Sequence, residues 1–298
     1  MRKAILVGCV LATMGCAQQF QTSSDFVADG VFTQGVEGPA VDDSGRLFAV
    51  NLQRQGTIGV VDNHGDATIF LSLPNNSVGN GIRFFNGDMY IADYVNHIVW
   101  RADLKTKSLT AFARNDEMNQ PNDLAVMDNG TLFASDPNWA QGTGKLWRID
   151  QAGRIHLLAD DMGTTNGIEV SPDNKILYVN ESVQRKVWRF DLDTFGNVSN
   201  KRLHISFDDY GLDGMRSDKN GNLYIARYGK GVIAVVSPTG KLLREMKLTG
   251  QHPTNVAFGG EDGKTVFVTM QKRGAIEYFS APVAGRSHLG KLASLAGK

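Results

Sequence analysis

The chain has 298 residues, with 31 Lys+Arg against 31 Asp+Glu, so it offers no basic field for nucleic acid or an acidic membrane surface. Its two cysteines, Cys9 and Cys16, both fall within the first 17 residues, which excludes a disulfide or a thiolate metal site from everything that follows. The length could hold two average domains, but closed all-β folds of this size commonly form one.

Residues 1–17 read as a secretory signal: Arg2 and Lys3, an apolar run over residues 4–14, then small residues. The run is too short for a permanent membrane helix. Cleavage before Cys16 would give a lipid-anchored protein, the only membrane association expected, although Thr13 and Met14 fit the bacterial lipoprotein pattern poorly. Cleavage after Ala17 would give a soluble periplasmic or secreted protein, and the sequence leaves both routes open.

Two short strand-like stretches follow, residues 25–28 and 31–33, and then a six-fold repeat begins. Each unit opens on an oxygen-bearing side chain: Glu37, Asn80, Asn122, Asn166, Asp213 and Asn255. A first apolar stretch runs to a turn at Gly45, Gly87, Gly130, Asn174, Gly221 or Gly263, and a second follows, as in Leu47-Phe48-Ala49-Val50. A third ends at Asp62, Asp103, Asp150, Asp191, Ser237 or Ser280. A period of about 40–45 residues containing several short strands marks a β-propeller of four-stranded antiparallel blades, and six units mean six blades. Trp100, Trp147, Trp188 and Tyr278 fall in third strands and are read as blade packing.

The sixth unit shows no fourth strand after Ser280, so the stretches at 25–28 and 31–33 are expected to complete that blade and close the ring. The expected organisation is one propeller domain over residues 18–284, preceded by the signal and followed by a flexible tail over 285–298.

Equivalent positions of a propeller lie at one height around its channel, so the six openers, each placed just before an innermost strand, should ring one mouth. Two carboxylates and four amides, without sulfur or imidazole, suit a hard cation, Ca²⁺ above all. Mg²⁺, Mn²⁺ or Zn²⁺ can occupy such oxygen sites when abundant. The competing reading is that asparagines at strand starts merely cap turns. Asn51, Asp93, Asp136, Asn180, Arg227 and Thr269 follow the hairpin turns by six residues and should form a second tier at the same mouth. Of these, Asp136 and Arg227 are the candidates for substrate contact, each weighed against a structural role, and residues 137–144 form a candidate wall over the pocket. The six histidines are scattered, with none at zinc-site spacing, and there is no G-x-S-x-G elbow. His252 stands close to Asn255 in the chain, near the ring.

Glu37-Gly38-Pro39, Pro121-Asn122-Asp123, Asn166-Gly167-Ile168, Asp213-Gly214-Met215 and residues 253–260 together resemble the senescence-marker-protein, gluconolactonase and luciferin-regenerating-enzyme family of calcium-dependent six-bladed propellers, relatives of diisopropylfluorophosphatase. The resemblance implies a divalent cation held by Glu37, Asn166 and Asp213, with Asn122 contacting substrate or metal. It also implies a metal-dependent lactonase that opens a sugar lactone such as an aldonolactone, or in a related branch cleaves an organophosphate. Asp213 is the candidate catalytic carboxylate, as base or as direct nucleophile. Propellers also serve as binding scaffolds, so a calcium-stabilised sugar-binding module is the alternative of a different class.

Overall fold

The apolar stretches of the repeat form strands with both faces covered. In the first unit Phe48, Val50 and Ile58 pack towards the next blade while Leu47, Ala49 and Leu52 pack towards the previous one. Alternate residues of a strand face opposite ways, and here both faces meet a neighbouring sheet, so the sequence reads as a continuous apolar run. Six clusters of buried side chains fill the six gaps between neighbouring blades.

The computed structural model describes residues 22–288; the expected signal segment with Cys16, and the tail beyond 288, lie outside the described residues. Six four-stranded antiparallel sheets form a six-bladed β-propeller with only two 3₁₀ turns and no α-helix among the described residues. The first blade runs Phe32–Val41, Leu47–Leu52, Thr57–Val61 and Ala67–Ser72. The inner strands of the next four blades are Gly79–Phe85, Leu124–Val126, Thr165–Val170 and Met215–Ser217. All six anticipated hairpin residues take positive φ, from 57° at Asn174 to 88° at Gly45, the left-handed region that Gly enters freely and Asn tolerates.

The sixth blade consists of Pro253–Gly259, Thr265–Met270 and Ala275–Ser280, and Ser24–Val27 supplies its outer strand. The N-terminal closure is therefore as expected for residues 25–27. Residues 32–33 are not part of it: Phe32 pairs with Leu52 and begins the innermost strand of the first blade. The closing strand is held by more than its ladder. Arg273 bonds Asp25 and Asp29, while the fully buried Glu277 accepts Ser23 Oγ, Thr249 Oγ1 and two backbone N–H groups. These partners raise the pKa of Arg273, Asp25 foremost.

A chain starting at residue 30 should thus lose the buried Val27, the Phe26 ring packed on Phe267 and both ion pairs. Loss of roughly 4 kcal/mol of apolar burial should lower the melting temperature by about 10 °C. A melt within about 2 °C of the parent would show that the ring closes without this strand.

The expected flexible tail also needs correction at its start. Gly285 N–H donates to Gly263 O, and the Arg286 guanidinium bonds Val126 O, Asp128 and Asn174, so residues 285–286 are docked on the face opposite the ring of openers.

Candidate functional site

Each innermost strand departs from regular pairing where it carries its opener. Register shifts flank Glu37 and fall at Asn80, Asn166 and Asn255, while Asn122 and Asp213 sit just ahead of short strands. Four openers thus lie within their strands, not before them as expected, and the irregularity turns their side chains toward the axis. Space there is scarce. A Cβ on Gly38 would stand 1.9 Å from Asn80 O, and one on Gly214 would meet the Asn255 carboxamide at 1.9 Å. The opener-Gly dipeptides of the sequence are the consequence.

The openers meet in pairs. Asn80 Nδ2 donates to Asn122 O, and Asn166 hydrogen-bonds the Asp213 carboxylate. Asn255 Nδ2 donates to Glu37 Oε2 at 3.2 Å and to Asp123 Oδ2 at 3.3 Å, while its Oδ1 accepts the Val256 N–H at 2.9 Å. Asn255 therefore acts toward Glu37 as a donor, and its oxygen is turned away from the ring. The Asn122 carboxamide makes no hydrogen bond among the described residues and lines a pocket of ≈ 270 Å³ above the ring. Glu37 and Asn80 share its floor with Asn122; Tyr94, Gln120, Trp139 and Gln271 form its walls. Residues 137–144 do contribute to this wall, through Trp139, but most of them are ladder, with Pro137 opposite Gly144 and Asn138 opposite Thr143.

Among the described residues neither acid of the ring forms an ion pair. Burial pushes the Glu37 carboxyl up to about 7, with the Gly38 N–H opposing and the Asp123 charge adding to the rise. Burial also raises Asp213 well above the usual carboxylate range, and the Glu37 charge raises it further. Two desolvated carboxylates that repel one another, beside free amide oxygens, form a donor set that a hard cation would satisfy. Glu37, Asp213, Asn166 and Asn122 are the residues that could hold it. No group of three or more His, Cys, Asp or Glu side chains suited to a metal occurs among the described residues, so any such cation would depend on the amides.

The second tier holds the openers in place. Asn51 Nδ2 bonds Gly35 O, Asp93 accepts Val78 N–H, and Asn255 N–H donates to Thr269 Oγ1. Asp136 is equally occupied, with Asn119 N–H, Gln120 N–H and Trp147 Nε1 on its two oxygens, and it is 1% exposed. The structure places it behind the Gln120–Asn122 segment and not in the pocket lining. Arg227, the other expected substrate contact, is fully buried, ion-paired with Asp209 and Glu245 and stacked 3.9 Å from the Phe207 ring centroid. Both side chains therefore carry the structural alternative weighed against substrate contact. Asn180 donates to Asp213 O, and His252 packs edge-on against Tyr228 at 5.0 Å.

One constellation was missed in the sequence. Asp123 occupies the place after its opener where four other units have Gly, and its fully buried carboxylate bridges Arg83 at 3.2 Å and Arg216 at 3.0 Å. Burial alone would raise the Asp123 carboxyl, but the two guanidinium groups outweigh it and hold it below its ordinary value. Arg83, Glu169 and Arg216 all stand three residues after an opener. Charged residues at one register position of a repeat were the available signal. This column fills the channel beneath the ring and leaves the pocket one open side.

A ring of oxygen donors at one mouth of a plugged six-bladed propeller defines a class of small-molecule site, reached from a single face. Residues 36–272 match the SMP-30/Gluconolactonase/LRE-like region, and the chain belongs to that family. It is 32% identical over 147 residues to a 6-deoxy-6-sulfogluconolactonase of Pseudomonas putida, covering 48% of this chain and 50% of the relative. It is 26% identical over 208 residues to a gluconolactonase of Zymomonas mobilis, covering 62% and 58%. The chain thus matches about half the length of these curated relatives. The crystal structure of a calcium-binding protein, regucalcin, from Agrobacterium tumefaciens shares the fold, with a TM-score of 0.77 at 22% identity, covering 89% of this chain and 96% of that one.

Proposed function

We propose that the protein is a divalent-cation-dependent hydrolase of sugar lactones, with calcium the favoured cation. The observation that carries this reading is a pair of desolvated carboxylates with no ion-pair partner among the described residues: Glu37, which lines the polar pocket, and Asp213, which the Glu37 charge raises further. The relatives named for gluconolactone chemistry support the substrate class.

Glu37, Asp213, Asn166 and Asn122 would hold the cation, which when bound would polarise the ester carbonyl as a Lewis acid. The remaining steps belong to the chain. Asn122 offers its unbonded carboxamide to the substrate and fixes the lactone ring over the floor. As water adds to the carbonyl carbon, Asp213 takes one of its protons; when the ring C–O bond breaks, that proton passes to the departing ring oxygen, giving the open hydroxy acid. The Asp123–Arg83–Arg216 plug closes the channel from below, so substrate and water share the single mouth.

The deciding experiment is a panel of aldonolactones, homoserine lactones and organophosphates, assayed with added Ca²⁺ and with chelator. Lactones open spontaneously, so rates are read against buffer at the same pH and calcium. Calcium-dependent opening of an aldonolactone is the expected result. Calcium binding with every substrate left at the buffer rate would replace this reading with the sugar-binding module.

A further inference from the structure

The pocket walls carry two features that the proposed reaction does not require. Trp139 is 45% exposed although it is a large aromatic side chain on a pocket rim, whereas Trp100 and Trp147 are buried at 7% and 1%. Its backbone is firmly set, because the four-residue connection 139–142 is pinned by Gln184 Nε2 on Gly142 O and by Asn119 Nδ2 on Pro137 O. Opposite kinds of side chain share the wall: Tyr94 is aromatic, and Gln120 and Gln271 are neutral amides, the latter accepting the Tyr228 hydroxyl at 2.6 Å. The second feature is charge. None of the lining residues is cationic, and Glu37 is acidic. Arg227, the cation best placed by sequence to greet an anion, is spent within its own blade, and Lys272, next to Gln271 in the chain, is exposed and outside the lining.

We infer that Trp139 is the specificity-determining platform of the site, selecting an uncharged lactone whose apolar C–H face lies on the indole, and that lactones bearing a sulfonate or phosphate are discriminated against. This deepens the lactonase reading and rests on it. An exposed indole on a fixed turn offers flat apolar area at little entropic cost, and the C–H face of a pyranose-like ring matches it. Gln120 and Gln271 supply neutral hydrogen bonds to hydroxyls. An anionic substituent would shed its hydration on entering the pocket and find no cationic side chain in the lining to replace it. The pocket is thus chemically unlike one built for the sulfonated substrate named for the Pseudomonas putida relative.

The test compares a neutral aldonolactone with its 6-sulfo and 6-phospho counterparts on the calcium-loaded parent, Trp139→Ala and Trp139→Phe. The neutral lactone should be favoured over the anionic ones by about tenfold or more in kcat/KM. Trp139→Ala should raise KM for the neutral lactone about tenfold with kcat little changed, the pattern of lost uniform binding, and Trp139→Phe should recover most of it. Titration with a non-hydrolysable lactam should quench fluorescence in the parent and much less in Trp139→Phe, a readout independent of turnover. Equal turnover of anionic and neutral lactones, or an unchanged KM in Trp139→Ala, would overturn the inference and leave the lactonase reading standing. Failure to open any lactone would remove both.

Discussion

Asp213→Asn at saturating calcium is expected to lower lactone turnover by about 10²–10⁴, the range that general acid–base catalysis contributes. Asparagine keeps the shape and an oxygen toward the ring but cannot accept the proton of the attacking water. The side chain is held on both sides, by the Asn166 hydrogen bond and by the Gly214 N–H, so little rearrangement is open to it. Because Asp213 is also a cation donor in the proposed site, the assay requires a calcium titration for the variant, with kcat read at the plateau. Turnover within about threefold of the parent at that plateau would assign the proton to another group. Asn122→Ala should act differently, raising KM and reducing productive orientation while Glu37, Asn166 and Asp213 still hold the cation.

The second large effect concerns stability, and its sign depends on the cation. Glu37 has a folded pKa of about 7 against an ordinary 4.5, so the fold favours its protonated form. The cost of ionising it is absent below about pH 4.5 and complete above about pH 7. Cation-free protein should therefore lose stability as pH rises through that window, by up to roughly 3 kcal/mol from this residue. Asp213 is shifted in the same direction and should add to the loss. Glu37→Gln removes the desolvated charge. In chelator at pH 8 the variant should melt above the parent, and its stability should vary less between pH 5 and pH 8. In saturating calcium the order should reverse, because the parent gains binding free energy that the variant largely lacks. Calorimetry should show the same weakening of affinity directly. A variant that melts below the parent in chelator would mean that Glu37 is stabilised in its charged form by contacts other than a cation.

The architecture was legible in the sequence because a propeller repeats a local unit. Turn residues at Gly45, Gly87 or Asn174, apolar runs along strands such as Leu47–Leu52, and aromatic residues in third strands all express constraints within one blade, and each blade restates them. The convergence of Glu37 and Asp213 was legible for the same reason, since equivalent positions of a closed ring must meet at the axis. Even the N-terminal closing strand could be inferred, because a blade one strand short leaves an edge that something must cover.

What the sequence left open were the contacts between blades. Whether Asn255 turns its oxygen or its N–H groups to the ring depends on Val256 taking the oxygen while two carboxylates from other blades take the hydrogens. Asp136 and Arg227 sit at positions that look equally available for substrate in a one-dimensional reading. Only the neighbouring Asn119 and Gln120 amides, and the Asp209 and Glu245 carboxylates, show that their bonding capacity is used. The Arg83–Asp123–Arg216 plug joins residues 40 and 93 positions apart, and nothing local to Asp123 names its partners. Periodicity encodes the height of a side chain and the face it points to, because both follow from strand geometry. Partnership across the axis follows from the curvature of the closed ring and from the desolvation that draws a buried charge such as Asp123 to a counter-charge, and those are properties of the tertiary structure alone.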